Sequence, residues 1–300
     1  MGRRLPFDHT GESWDITCRA DAMGVIRNGA FKGMLFIDYI NTNRQRILGT
    51  RTASTGDFPL LVKIISAEDD LSVQVHPDDN YALHADDEPC GKNEMWYVLE
   101  APPDSYLIVG LRDGVNKKRF KQTLEQGEGV EECLNKLHVR RGDVIDIPAG
   151  LVHAIGKGIM LAEIQQNSDL TYRIYDYNRT GLDGNPRRLH TDKALDVIDF
   201  YYRIPREAVC GAVEEHDGCT ITRYIHNPYF NVSKYDILTE CDERSDLSKF
   251  YIYTCVGGSA EIYFSGMTTT VRYGDSVFIP ADMGAYMVKG PCELLKCFVP

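Results

Sequence analysis

The stretch GDVIDIPAG at residues 142–150 recurs as GDSVFIPAD at residues 274–282. Gly, Asp, Ile, Pro and Ala keep the same offsets in both copies. A Gly-Asp turn, a short buried strand and a Pro-Ala corner make a hairpin-to-loop unit of an all-β barrel. The copies start about 130 residues apart, which suggests two barrels of one type. A chain of 300 residues accommodates two such domains. His153 stands five residues after Pro148, whereas Ala285 stands five after Pro280, and no histidine follows His226. If the repeat carries a metal ligand, only its first copy has kept it.

The surrounding sequence agrees with an all-β reading. Between residues 60 and 177 the runs LLVKII, SVQV, MWYVL, SYLIVGL, DVIDIP, GIMLAEI and TYRIYDY follow one another, broken by Gly, Pro, Asp and Asn. They have the length and the Val/Ile/Tyr content of strands. No long helical pattern separates them, so an antiparallel sandwich or barrel is expected and a parallel βαβ sheet is not. Residues 116–137 read as two short helices around Gly127 and Gly129. Thr191–Tyr201 reads as one more, with Thr191 as N-cap. Arg203-Ile204-Pro205 is the expected boundary, giving a first domain at 1–205 and a second at 206–300.

Composition limits the partners. Net charge is −11, which opposes nucleic acid or an anionic membrane as the main partner but leaves room for a small anion in a local basic pocket. The nine cysteines contain no CxxC pair and read as free thiols of a reducing compartment. No secretory h-region and no membrane-length apolar run is visible, so a cytoplasmic protein is expected. There is no GxGxxG or Walker loop to hold a nucleotide.

Gly142, Pro148, Gly150 and His153 have the spacing of the second motif of the cupin superfamily, which this segment resembles; Lys157 stands where that motif often has Asn. Upstream, Gln74-Val75-His76 is followed by the next candidate Glu only at Glu94. That departure singles out one family. DLSVQVHPDDNYA (70–82), GKNEMWYVLEA (91–101) and HAIGKGIMLAEIQQNSDLTYRIYDYNR (153–179) together resemble type I mannose-6-phosphate isomerase in its short bacterial form. The likeness runs from about residue 11 to residue 200 and weakens beyond. It implies two cupin-type jelly-roll barrels with a few short helices, the first catalytic and the second metal-free.

The residues support that reading directly. Ser72, Gln74 and His76 alternate with Val73 and Val75, so a strand there carries a polar face and an apolar one. A polar barrel interior needs a reason, because an unpaired buried polar group costs about 1–3 kcal/mol. A metal supplies one. His76, Glu94 and His153 offer two imidazoles and a carboxylate, Gln74 could add an amide oxygen, and the set suits one Zn²⁺ with an open position.

Lys63 interrupts the apolar run LLVKII; it lies at an edge with its head in water or it faces an anion. The resemblance implies that Lys63, Ser72 and Arg179 hold a substrate phosphate. It also implies that Arg173 is the catalytic arginine and that Glu163 and Lys92 lie in the active site. If 171–179 is a strand, Arg173, Tyr175, Tyr177 and Arg179 share one face. The implied reaction is the interconversion of mannose 6-phosphate and fructose 6-phosphate through a cis-enediol, with Glu163 as first candidate base and Lys92 as second. The expected partner is a small sugar phosphate, and the chain is expected to be a monomer or weak homodimer. Two rivals are another metallocupin enzyme, such as an Fe(II) dioxygenase or an epimerase, and a sugar-phosphate sensor without turnover.

Overall fold

The repeated stretch is the same piece of backbone twice. In the first copy Gly142 takes φ 93° and in the second Gly274 takes φ 87°, a left-handed conformation that glycine adopts without strain. Asp143 closes the first turn by accepting from the Arg140 N–H at 2.9 Å, and Asp275 closes the second by accepting from the Arg272 N–H at 3.0 Å. The strands Val144–Ile147 and Ser276–Ile279 follow, and each ends at a corner where a Pro carbonyl, Pro148 or Pro280, accepts a backbone N–H three residues on at 3.1 Å.

The computed structural model describes residues 10–54, 56–181, 184–202 and 207–300. The regular structure is mostly β, with a few short helices. Strands Leu60–Ser66, Val73–Val75, Glu94–Glu100, Tyr106–Leu111, Met160–Gln166 and Tyr172–Tyr175 occur where the apolar runs place them. In the insertion, Asn116 caps the helix Lys117–Gln126 and Gly127 ends it. The second expected helix is a single 3₁₀ turn, Val130–Cys133, and the chain then enters the strand Leu134–His138, because buried Leu134 pairs onto the strand Tyr106–Leu111. The later helix stops at Val197, where Ile198 turns extended, and Thr191 is its first residue rather than its cap.

The chain divides into two units. One comprises residues 1–64, 164–167 and 210–300, the other residues 65–163 and 168–209. The expected boundary at Arg203-Ile204-Pro205 lies outside the described residues apart from its flanks. Residues 1–64 group with the C-terminal part, where the sequence reading put them in the first domain. The reason is visible in the contacts. The Ala281 N–H donates to the Ile47 carbonyl at 2.9 Å, and the Thr50 N–H to that of Leu247 at 3.0 Å. Phe36, Phe58, Phe250 and Phe278 form one aromatic cluster.

In the first unit a nine-stranded sheet spans Ala212–Phe298, with the long strand Tyr251–Phe264 pairing to four others. Ala285 opens the strand Ala285–Lys289 and is exposed. The interior has a polar centre that the sequence reading missed. Lys296, in the run LLKCF, is buried with Nζ 2.6 Å from Glu243 Oε2, 3.3 Å from the Tyr235 hydroxyl and 4.1 Å from the Tyr251 ring centroid. Burial lowers its pKa, and Glu243 works against that.

In the second unit five strands run in the order Tyr172–Tyr175, Val73–Val75, His153–Ile155, Tyr106–Leu111, Leu134–His138. One face of this sheet packs Val73, Val75, Ile108, Ala154, Tyr172 and Ile174 against Phe120 of one helix and Ala194 and Leu195 of the other. On the opposite face Leu107, Val109 and Ile155 meet Trp96, Val98, Ile145, Ile147 and Leu161. Alternate residues of each strand therefore enter different cores. The second face also carries the site.

Candidate active site

Register places the site residues. Across three neighbouring strands Arg173 lies opposite Gln74, and Gln74 opposite His153. Residues paired in this way project from the same face. The valines on either side of Gln74 are fully buried on the other face, so the hydrophobic core fixes which way Gln74, Ser72 and His76 point.

His76, Glu94 and His153 converge at the centre of that face, and all three are buried. The two imidazole Nε2 atoms lie 3.1 Å apart. Glu94 places Oε2 3.4 Å from His76 Nε2 and Oε1 3.4 Å from His153 Nε2. Each ring is locked from behind: His76 Nδ1 donates to the Leu170 carbonyl at 2.7 Å, and His153 Nδ1 to the Leu151 carbonyl at 2.8 Å. Carbonyls only accept, so a neutral ring in either place carries its proton on Nδ1 and turns an Nε2 lone pair to the centre. Burial, reinforced by the Lys92 charge, pushes His76 down to about 3, and burial lowers His153 as well. Burial opposes ionisation of Glu94, but Lys92 and the two imidazoles outweigh it and hold the carboxyl well below its usual range.

Two facing lone pairs and a carboxylate repel one another unless a cation joins them. Ligand atoms at about 2.0–2.2 Å from a tetrahedral Zn²⁺ are themselves roughly 3.3–3.6 Å apart. The two imidazole nitrogens stand 3.1 Å apart and each faces a different Glu94 oxygen at 3.4 Å, separations close to an edge of that tetrahedron. Neither Glu94 oxygen makes a well-directed hydrogen bond. The residues present therefore fit a metal. The Gln74 amide nitrogen is 3.2 Å from His153 Nε2, and a flip of the amide would present its oxygen instead.

Lys92 reaches in beside this triad, with Nζ 2.9 Å from Glu94 Oε2 and 3.2 Å from His76 Nε2. Burial alone would lower its pKa; Glu94 and Glu163 reverse that and keep the ammonium charged. Gly91 is what lets Lys92 sit there. A Cβ at residue 91 would lie 2.4 Å from the Pro77 carbonyl oxygen and from the Asp78 carbonyl carbon. The Lys92 N–H donates to that same Pro77 carbonyl at 3.0 Å, joining the segment of Glu94 to the segment of His76. Gly91→Ala is accordingly expected to cost about 1–3 kcal/mol, as overpacking does. It should lower both the melting temperature and the metal content, read by thermal unfolding and elemental analysis. Wild-type values for both would show that the close approach is dispensable.

Glu163 is buried and accepts from the Trp96 indole N–H at Oε1, 2.9 Å away. Ser72 is buried just before the strand Val73–Val75. Lys63 falls in the other unit. It is neither at a wet edge nor without partners: it is buried, 3.8 Å from Glu12 Oε2 and over the Trp14 ring. Arg173 donates from Nη1 to the Arg188 carbonyl at 3.0 Å.

The expectation of one strand over 171–179 needs correction. The strand ends at Tyr175, and Tyr177 and Asn178 take φ 53° and 55°. Two consecutive left-handed residues turn the chain, so Tyr177 and Arg179 leave the face that Arg173 keeps. Arg179 folds back onto Asp176 instead, at 2.5 Å. Asp176 also binds Arg187, a residue the sequence reading passed over. The only advance signal was Asp176 three residues before Arg179, the spacing of a turn-borne ion pair.

Fold and site define a cupin-domain β protein with a buried His-Glu-His ligand set. Residues 220–299 match the cupin domain of mannose-6-phosphate isomerase, and residues 5–95 match the catalytic domain of type I phosphomannose isomerase. Mannose-6-phosphate isomerase ManA of Bacillus subtilis is 32% identical over 298 residues, spanning 98% of this chain and 91% of that protein. The Streptococcus mutans mannose-6-phosphate isomerase is 33% identical over 295 residues, spanning 98% and 90%. The crystal structure of mannose 6-phosphate isomerase from Bacillus subtilis superposes with a TM-score of 0.90 at 32% identity, covering 99% of this chain and 92% of that one. The chain belongs to the type I mannose-6-phosphate isomerase family, and it is an isomerase of that family.

Proposed function

We propose that the chain interconverts mannose 6-phosphate and fructose 6-phosphate through a cis-enediol, with one Zn²⁺ held by His76, Glu94 and His153 and with Gln74 as a fourth donor. The observation that carries this reading is the buried triangle of ligand atoms with both imidazoles locked by backbone carbonyls. When bound, the metal supplies Lewis-acid polarisation of the sugar oxygens. The remaining chemistry belongs to the side chains. Glu163, oriented by the Trp96 indole, takes the proton from C2 and returns it to C1. Lys92 is the second candidate for that transfer and could take the C2 proton only from its neutral form; as the ammonium that Glu94 and Glu163 favour, it offers a hydrogen bond to a developing oxyanion. Arg173, in register with Gln74 and His153, stabilises the enediolate charge. Arg179 and Ser72 are assigned to the phosphate, while Lys63, which the resemblance adds, is held by Glu12 and Trp14.

The two copies of the Gly-Asp turn support two jelly-roll barrels of common origin, the catalytic one carrying the copy at 142–150 and the metal-free one the copy at 274–282. Net charge of −11 supports a small-molecule partner over nucleic acid. Among the described residues no helix is long and apolar enough to cross a membrane. We read the protein as cytoplasmic and as a monomer or weak homodimer.

A coupled assay for fructose 6-phosphate, run before and after chelation, tests the function. Turnover should fall to background on metal removal and return with Zn²⁺. Activity that survives complete removal of metal would overturn the proposed centre. Oxygen uptake with bound iron, or sugar-phosphate binding without turnover, would favour the rival readings.

A further inference from the structure

We infer that Arg187 is an additional arm of the substrate-phosphate site and that Asp176 is the residue that positions it. The inference deepens the isomerase reading and rests on it. Asp176 is buried, with a side chain only 5% exposed, and it is gripped from two sides. Arg179 Nη2 donates to Oδ1 at 2.5 Å. Arg187 Nε donates to Oδ2 at 2.6 Å, and its Nη2 also reaches Oδ1. Each guanidinium spends one edge on the shared carboxylate and keeps further N–H groups for another acceptor. Their side chains are 30% and 38% exposed, so those groups are open to an incoming anion.

The backbone explains the meeting. The left-handed pair Tyr177 and Asn178 turns Arg179 back over Asp176, and a bridge between Thr180 and Pro186 returns the chain so that Arg187 arrives beside it. Arg173 is tied to the same return through the Arg188 carbonyl. Its Nε is buried and has no hydrogen-bond acceptor among the described residues. Two guanidiniums thus share a single buried carboxylate, and Arg173 stands nearby. The net positive charge and the spare N–H groups suit a phosphate monoester, which carries about −1.5 to −2 at neutral pH. Burial and the charges of Arg187 and Arg179 lower the pKa of Arg173, with Asp176 working against them. Arginine forks suit planar, bidentate capture of phosphate oxygens, which a lysine delivers only as a point charge.

The test compares wild type, Arg187→Ala, Arg187→Lys and Asp176→Asn for KM and kcat on mannose 6-phosphate, and for inhibition and calorimetric binding by inorganic phosphate. Losing one charge-assisted contact should raise KM for Arg187→Ala by about 10- to 100-fold, with kcat held within a few-fold and phosphate affinity weakened in parallel. Arg187→Lys should recover part of the loss. Asp176→Asn should raise KM in the same direction with kcat and metal content retained. Wild-type KM and phosphate affinity in Arg187→Ala, or in Arg187→Lys should the alanine variant not fold, overturns the role of Arg187. Wild-type values in Asp176→Asn overturn the positioning role. Absence of turnover in the wild type is a separate failure, that of the isomerase reading, and phosphate binding then still decides the role of Arg187.

Discussion

His153→Ala is expected to leave a folded protein that retains no stoichiometric metal and has lost nearly all isomerisation. The side chain is fully buried, and its Nε2 stands 3.1 Å from His76 and 3.4 Å from Glu94. Removing it takes away one corner of the ligand triangle and leaves a polar gap facing His76 and Glu94. Four proposed donors become three with a single imidazole among them, a set that holds the ion far less well against water and buffer. Lewis-acid stabilisation worth several kcal/mol disappears with the ion, so turnover should fall by about a thousandfold or more. The fold should persist, because Ala154 and Ile155 still anchor the strand in its two cores. Elemental analysis and the coupled assay read the two losses, and circular dichroism reads the third quantity. A variant that keeps one metal per chain and wild-type turnover would remove His153 from the centre.

Arg173→Ala separates charge stabilisation from metal binding. Its backbone stays paired with Gln74, and its guanidinium donates to the Arg188 carbonyl rather than to the ligand triad, so metal content should be unchanged. In the proposed role the guanidinium, on a residue in register with Gln74, stabilises charge that develops only in the transition state. Loss of one such donor typically costs about 10²–10³ in kcat. Arg173→Lys should recover part of the rate, since the charge remains and the fork does not. A fully active alanine variant would show that Arg173 has no electrostatic part in the reaction.

Much of this site was legible in the residues. The alternation in SVQVH assigned two faces before any strand was seen, and the structure buries Val73 and Val75 on one and turns Gln74 to the other. The spacing from Gly142 to His153 is legible because a turn, a strand and a corner leave little freedom in between. What was not legible has physical causes. The helices Phe36–Thr42 and Arg44–Leu48 have 7 and 5 residues, too short for a 3.6-residue period to stand out, and they form because tertiary contacts hold them. The pairing of 1–64 with the C-terminal part depends on hydrogen bonds such as that from Ala281 to Ile47, which no local pattern announces. Nothing about Tyr177 marks it for a left-handed backbone, so the end of the strand at Tyr175 and the swing of Arg179 toward Asp176 stayed hidden. Lys296 drew no reading from the sequence, because its partners, Glu243 and a ring of tyrosines, lie on other strands.

The strand Val73–Val75 is only three residues long, yet it carries Gln74 between two neighbours in the row that runs from Arg173 to His153. A slip of one residue would drive Gln74 into the oil and swing two valines toward the ligands. Aim in this enzyme is thus stored where no chemistry happens, in the fit of Val73, Val75, Tyr172 and Ile174 against Phe120, Ala194 and Leu195. Changes to the greasy side of that sheet will be felt as errors of catalysis before they are felt as loss of the fold.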